Sequence, residues 1–64
     1  MMNNVKIYRE KRKKSLKSIS RDIEVSERHL RFVENGERMP SLPLAKKIAD
    51  CLNVTIEELF FNEV

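Results

Sequence analysis

The stretch "SERHLRFVENGERMPS" (residues 26–41) sets two guanidinium groups and a benzyl ring close together, at Arg28, Arg31 and Phe32. Ser26 before the run and Asn35-Gly36 after it mark a short helix. At about 100° per residue, Leu30 and Val33 define its inward direction. Glu27, His29 and Glu34 fall on the flanks, and Arg28, Arg31 and Phe32 face away from the core. An outward Phe between two Arg is unfavourable unless something covers it. Two covers are open. A neighbouring helix or a second subunit can pack on Phe32. Alternatively the face enters a nucleic-acid groove, where Arg reads guanine or phosphate and the ring edge touches a thymine methyl.

Other chemistries find less support. His29 has no Cys, His or acidic cluster at ligand spacing, so no metal is expected. The lone Cys51 cannot form an intrachain disulfide and is read as a small, half-buried filler. Ser, His and Asp all occur, but without a strained nucleophile turn or room for a cleft. There is no glycine-rich phosphate loop. Neither enzymatic activity nor a cofactor nor a small-molecule ligand is expected.

Charge points the same way as the helix face. The net charge is +3, unevenly spread. Residues 1–31 hold ten Lys/Arg against four Asp/Glu, and residues 32–64 hold three against six. One basic half suggests a surface for a polyanion. The plainer alternative is that "EKRKK" (Glu10–Lys14) is only a solvated helix end.

The elements that must position these residues are helical. A 64-residue chain that is 41% hydrophobic and 36% charged, with one Gly, suits a small all-α protein. It is expected to form a single domain over residues 1–64, near the lower size limit for folding alone. Asn3 or Asn4 caps a first helix running to about Lys13, with Val5 and Tyr8 inward. Ser15 caps a second, carrying Leu16, Ile19 and Ile23. After the turn Glu24–Ser26 comes the third. Ser41 caps a fourth, with Pro43 in its first turn and a stripe of Leu44, Ala45, Ile48, Ala49 and Leu52. "TIEE" (Thr55–Glu58) is a capping box opening a short fifth helix. The longest apolar run, Leu59-Phe60-Phe61, is far short of the roughly 20 residues that span a bilayer. The N-terminus lacks a signal-peptide pattern, and a cytoplasmic protein is expected.

From "VKIYRE" (Val5–Glu10) through "SLKSISRDIEVSERHLRFVENGERMPSLPLAKKIADCLNVTIEELF", the chain resembles the Cro/cI-type helix-turn-helix DNA-binding domain of bacterial and phage regulators. "ENG", a polar loop, "PS" and then "LAKKIADCLNVTIEELF" carry it through their order and spacing. The resemblance implies a compact five-helix, lambda-repressor-like bundle, with helices two and three as the helix-turn-helix and the third in the major groove. It implies base contacts from Glu27, Arg28, Arg31 and Phe32. Phosphate contacts fall to Lys17, Asn35 and Arg38. It also implies a structural ion pair between Arg9 and Glu34.

Glu27 has an alternative role as a first-turn acid favoured by the helix dipole. Several positions depart from the family pattern. Leu16 stands where a phosphate-contacting Gln is common, Ser20 where a small Ala is usual, and Glu24 at a turn position usually held by Gly. Lys14 occupies a usually apolar site, and "ERHLRF" differs from the Gln- and Ser-rich third helices often seen. The functional class therefore carries over, but the target sequence does not.

Phe60 and Phe61 are adjacent and cannot share one side of a helix. One is expected to seal the core while the other makes a dimer contact, unless both fold back onto the same core. The expected function is a sequence-specific regulator, a repressor, binding double-stranded operator DNA as a homodimer on an inverted repeat. An antitoxin-like or adaptor-like protein-interaction module and a non-specific nucleic-acid binder are the alternatives.

Overall fold

Most of the helices begin where a side-chain oxygen can accept one of the backbone N–H groups left unpaired at a helix start. The computed structural model describes residues 3–61, and these form helices and no strand. In order they are α1 (Val5–Lys11), α2 (Leu16–Ile23), α3 (Glu27–Glu34), α4 (Leu42–Leu52) and α5 (Ile56–Phe60). Ser15 Oγ accepts from the Ser18 N–H at 3.0 Å, Ser26 Oγ from His29 at 3.1 Å and Ser41 Oγ from Leu44 at 3.3 Å. At α5 the capping box is reciprocal. Thr55 Oγ1 accepts from the Glu58 N–H at 3.0 Å, and Glu58 Oε1 accepts from the Thr55 N–H at 3.2 Å.

At α1 the work is divided between two asparagines. Asn3 Oδ1 accepts from the Val5 N–H at 3.0 Å. Asn4 occupies the cap position but turns its side chain to α5, where Nδ2 donates to the Glu58 carbonyl at 2.8 Å. The Asn4 backbone N–H donates to the Leu59 carbonyl at 2.7 Å. Asn3 Nδ2 donates to the Val33 carbonyl at 2.7 Å, so the start of α1 is tied to the ends of both α3 and α5.

The first helix is shorter than expected. It ends at Lys11 rather than Lys13, because Lys13 takes a left-handed conformation with φ 55°. No glycine marks that reversal, which is why helical periodicity runs past it. The reversal points Lys14 at α4. Its Nζ donates to the Cys51 carbonyl at 3.1 Å, and Arg12 Nε donates to the Leu52 carbonyl at 2.9 Å. Two cations thus satisfy carbonyls in the last turn of α4, where the helix dipole favours positive charge. Lys14 thus joins the elements through its amine, at a position where an apolar residue is usual.

The core gathers Val5, Leu16, Ile19, Leu30, Val33, Ile48, Leu52, Leu59 and Phe60, with Leu44, Ala45 and Ala49 also buried. It is closed by α2 packing on α3 and α4, and by α5 packing on α4 and α1. Between α2 and α3 the chain reverses at Glu24, whose φ of 57° and ψ of 45° are left-handed. Such a residue carries roughly 1–2 kcal/mol of strain. Ser20 holds the reversal from both sides. Its hydroxyl donates to the Val25 carbonyl at 2.5 Å, and its carbonyl accepts from the Val25 N–H at 3.2 Å. An Ala at position 20 has no hydroxyl to do the former. Gly36, with φ 77°, ends the segment after α3.

Candidate nucleic-acid interface

α3 is fixed by its inner face and bare on its outer one. Leu30 and Val33 are buried, while Arg28 and Arg31 are exposed. Glu34, on the flank, is held by Arg9 of α1. Arg9 Nε donates to Glu34 Oε2 at 2.8 Å and Nη2 to Oε1 at 3.2 Å, a two-pronged contact. The side chains are 16% and 8% exposed. Arg9 Nη1 also donates to the Lys14 carbonyl at 3.0 Å. The Glu34 hydrogen bond raises the Arg9 pKa above its ordinary value, against the opposing effect of burial. This carboxylate and guanidinium are occupied with each other.

The other residues singled out in the sequence lie in two groups on either side of α3. Lys17, Glu27, Arg31 and Asn35 line one shallow depression, with Lys6 and Ser15 on its rim and the Arg9–Glu34 pair beneath. Here α1, the start of α2 and the outer side of α3 meet. Lys6 was not foreseen, although its spacing of three from Arg9 puts the two on one side of α1. Arg28, Phe32 and Arg38 line a second depression with Ser26 and His29. Arg38 reaches it because the chain doubles back after Gly36. The N–H groups of Glu37 and Arg38 both donate to the Phe32 carbonyl, at 2.9 and 3.3 Å.

Phe32 departs from its expected position beside that return. The helical wheel places it fully outward, whereas in the structure it is half-buried. A wheel describes one helix and does not register its surroundings in the fold. The ring carries Arg28, whose guanidinium carbon lies 5.6 Å from its centroid. On the neighbouring row of α3, Arg31 Nη2 donates to Glu27 Oε1 at 3.3 Å, with side chains 60% and 44% exposed. Asn35 Nδ2 donates to Glu37 Oε2 at 3.4 Å. The side chains of Lys17 and Arg38 make no ion pair or hydrogen bond among the described residues.

The predicted dimer residues separate. Phe60 is buried in the core of its own chain and reaches the surface only as lining of the depression beside Phe61. Phe61 is 68% exposed and adjoins Met39 (61%) and Leu42 (73%) around an apolar depression. Leu42 stands in the first turn of α4, off the buried stripe, and Met39 in the loop before it. Only the fold brings them to Phe61, so neither was singled out in the sequence.

Cys51 is half-buried, with Sγ 3.8 Å from Lys14 Nζ and 3.7 Å from Asp22 Oδ2. Burial pushes its thiol pKa up, more than Lys14 pulls it down. Among the described residues no group of three His, Cys, Asp or Glu could hold a metal ion, and no helix is long and apolar enough to cross a membrane.

Comparison with known proteins matches residues 5–59 to the family described as Helix-turn-helix. A relative from Methanocaldococcus jannaschii, named an uncharacterized HTH-type transcriptional regulator, is 35% identical over 63 residues. The match covers 98% of this chain and 96% of that protein. Among solved structures, a candidate DNA-binding protein from Bacteroides fragilis superimposes with a TM-score of 0.83. It covers 91% of this chain and 94% of its own at 22% identity, which speaks to the fold.

Proposed function

Since the chain belongs to the helix-turn-helix family, we propose that it is a sequence-specific DNA-binding regulator of transcription that sets α3 in the major groove. One observation carries the proposal. Arg28 and Arg31 stand exposed together on the outer face of a helix whose inner face is locked by the core and by the Arg9–Glu34 pair. A rigid element presenting forked donors to solvent is what bidentate recognition of guanine requires. Glu27 can accept from cytosine N4, and Phe32 flanks the same face. Lys17, Asn35 and Arg38 position the backbone, with Lys6 adding charge beside them. The backbone N–H groups at the start of α2 lie next to Lys17 and suit a phosphate.

The proposal extends to a repressor acting as a homodimer on an inverted repeat. Met39, Leu42 and Phe61 supply an exposed apolar surface for the second copy. The test is selection from random duplex DNA, followed by binding measurements across a salt series and sedimentation of the free protein. A selected site should bind about 10³-fold or more tighter than random duplex. Its affinity should fall with salt at a slope near −0.9 per phosphate contacted. Equal affinity for all duplexes would leave only a non-specific binder. Feeble binding at physiological salt would favour the protein-interaction alternative.

A further inference from the structure

We infer that Phe32 is a positioning residue for Arg28, a fixed aromatic platform that holds one guanidinium ready to read a base; this rests on the DNA-binding proposal above. α3 carries two pairs at a spacing of four, Glu27–Arg31 and Arg28–Phe32, and each restrains one arginine by different means. Arg31 is held by a carboxylate that partly neutralises it. Arg28 is held over a ring, at 5.6 Å, and keeps its full charge and all its N–H donors.

The ring is the less exposed partner of the two. Helical side chains lean toward the N-terminus, so residue 32 lies beneath residue 28. Phe32 is half-buried, and its carbonyl accepts two N–H groups from the returning loop. Arg28 is exposed, with no hydrogen bond or ion pair among the described residues. A flexible arginine on a bare helix loses rotamer freedom when it grips a base. One already resting on a ring loses less, and a guanidinium can stack on a ring without giving up its in-plane donors. Discrimination should therefore reside mainly in Arg28. Arg31 must first loosen its hold on Glu27, and its contribution should be the smaller.

The experiment compares wild type, Arg28→Ala, Phe32→Leu, Phe32→Tyr and the double variant Arg28→Ala/Phe32→Leu. Each is measured against the selected duplex and its single-base-pair substitutions, with circular dichroism to verify folding. Arg28→Ala defines the base pair that Arg28 reads. Phe32→Leu should lower discrimination at that same pair by about 2–5-fold, the factor corresponding to an exposed cation–π contact. Other base pairs of the selected site should keep their wild-type discrimination. Phe32→Tyr keeps the ring face and should restore wild-type discrimination, and the double variant should lose no more there than Arg28→Ala alone.

A readout without DNA accompanies these. In the free protein, Phe32→Leu should abolish the ring-current shift of the Arg28 side-chain protons in the NMR spectrum. Loss at a different base pair would show Phe32 reading DNA itself and would overturn the inference. So would a uniform loss on all sequences, or no ring-current shift in wild type. A wild type with no sequence preference at all would instead remove the DNA-binding proposal on which the inference rests.

Discussion

Two Arg–Glu pairs meet on α3 and have little else in common. Arg9–Glu34 is short, two-pronged and largely enclosed, whereas Arg31–Glu27 is single, 3.3 Å long and about half exposed. The residue types are the same, so the difference comes from surroundings. Taking Arg9 and Glu34 partly out of water makes each dependent on the other, and losing one strands a charge. In solvent the Arg31–Glu27 contact is worth little and can be exchanged for another partner. One side of α3 is thereby committed to the fold while the other stays available. Removing one partner is therefore costly on the first side and nearly free on the second.

The largest expected effect tests the enclosed pair. Glu34→Ala should cost about 3 kcal/mol in urea unfolding, as for one member of a buried ion pair. A cost under about 1 kcal/mol would erase the contrast. The middle case is Arg28→Ala, which should leave unfolding unchanged within about 0.5 kcal/mol. In binding assays it should cost about 1–3 kcal/mol and relax one base position. Lys17→Ala should weaken all sequences alike and shallow the salt slope by about one unit. Smaller still, Glu27→Ala should change stability by no more than about 0.5 kcal/mol. A larger loss would mean that the outer pair is structural after all.

The smallest effect concerns Glu58, a carboxylate of intermediate kind. The Thr55 N–H and hydroxyl, and the Tyr8 hydroxyl at 3.3 Å, hold its pKa below the usual carboxylate value of 4.5. Its contribution to stability is full above the unfolded value and fades as pH falls through the lower, folded one. Glu58→Gln should therefore flatten part of the acid limb of the stability curve. A pH profile identical to wild type would remove Glu58 from that role.

How far the sequence foretold this contrast depends on which forces are local. The caps at Ser15, Ser26, Ser41 and Thr55 were legible because a hydroxyl and an N–H three residues on need no tertiary context. The core stripe of α4 was legible because its period is the helix's own. Family resemblance, rather than spacing, paired Arg9 with Glu34. The left-handed Lys13 was not legible, since nothing in a lysine announces positive φ. Nor was the half-burial of Phe32, or the meeting of Met39, Leu42 and Phe61. Each depends on what only the folded chain brings together. The outward position of both arginines could be read from one helix, but the distinct restraint on each could not.

The asparagines at the start of α1 have a consequence for how the molecule comes apart. Asn4 spends its amide and carboxamide on the last turn of α5. Fraying of α5 thus orphans the two Asn4 donors, and fraying of α1 orphans the Glu58 and Leu59 carbonyls. Protection against hydrogen exchange should accordingly rise and fall together in the two terminal helices, as in one cooperative unit. Truncation before Leu59 would unfasten both ends at once.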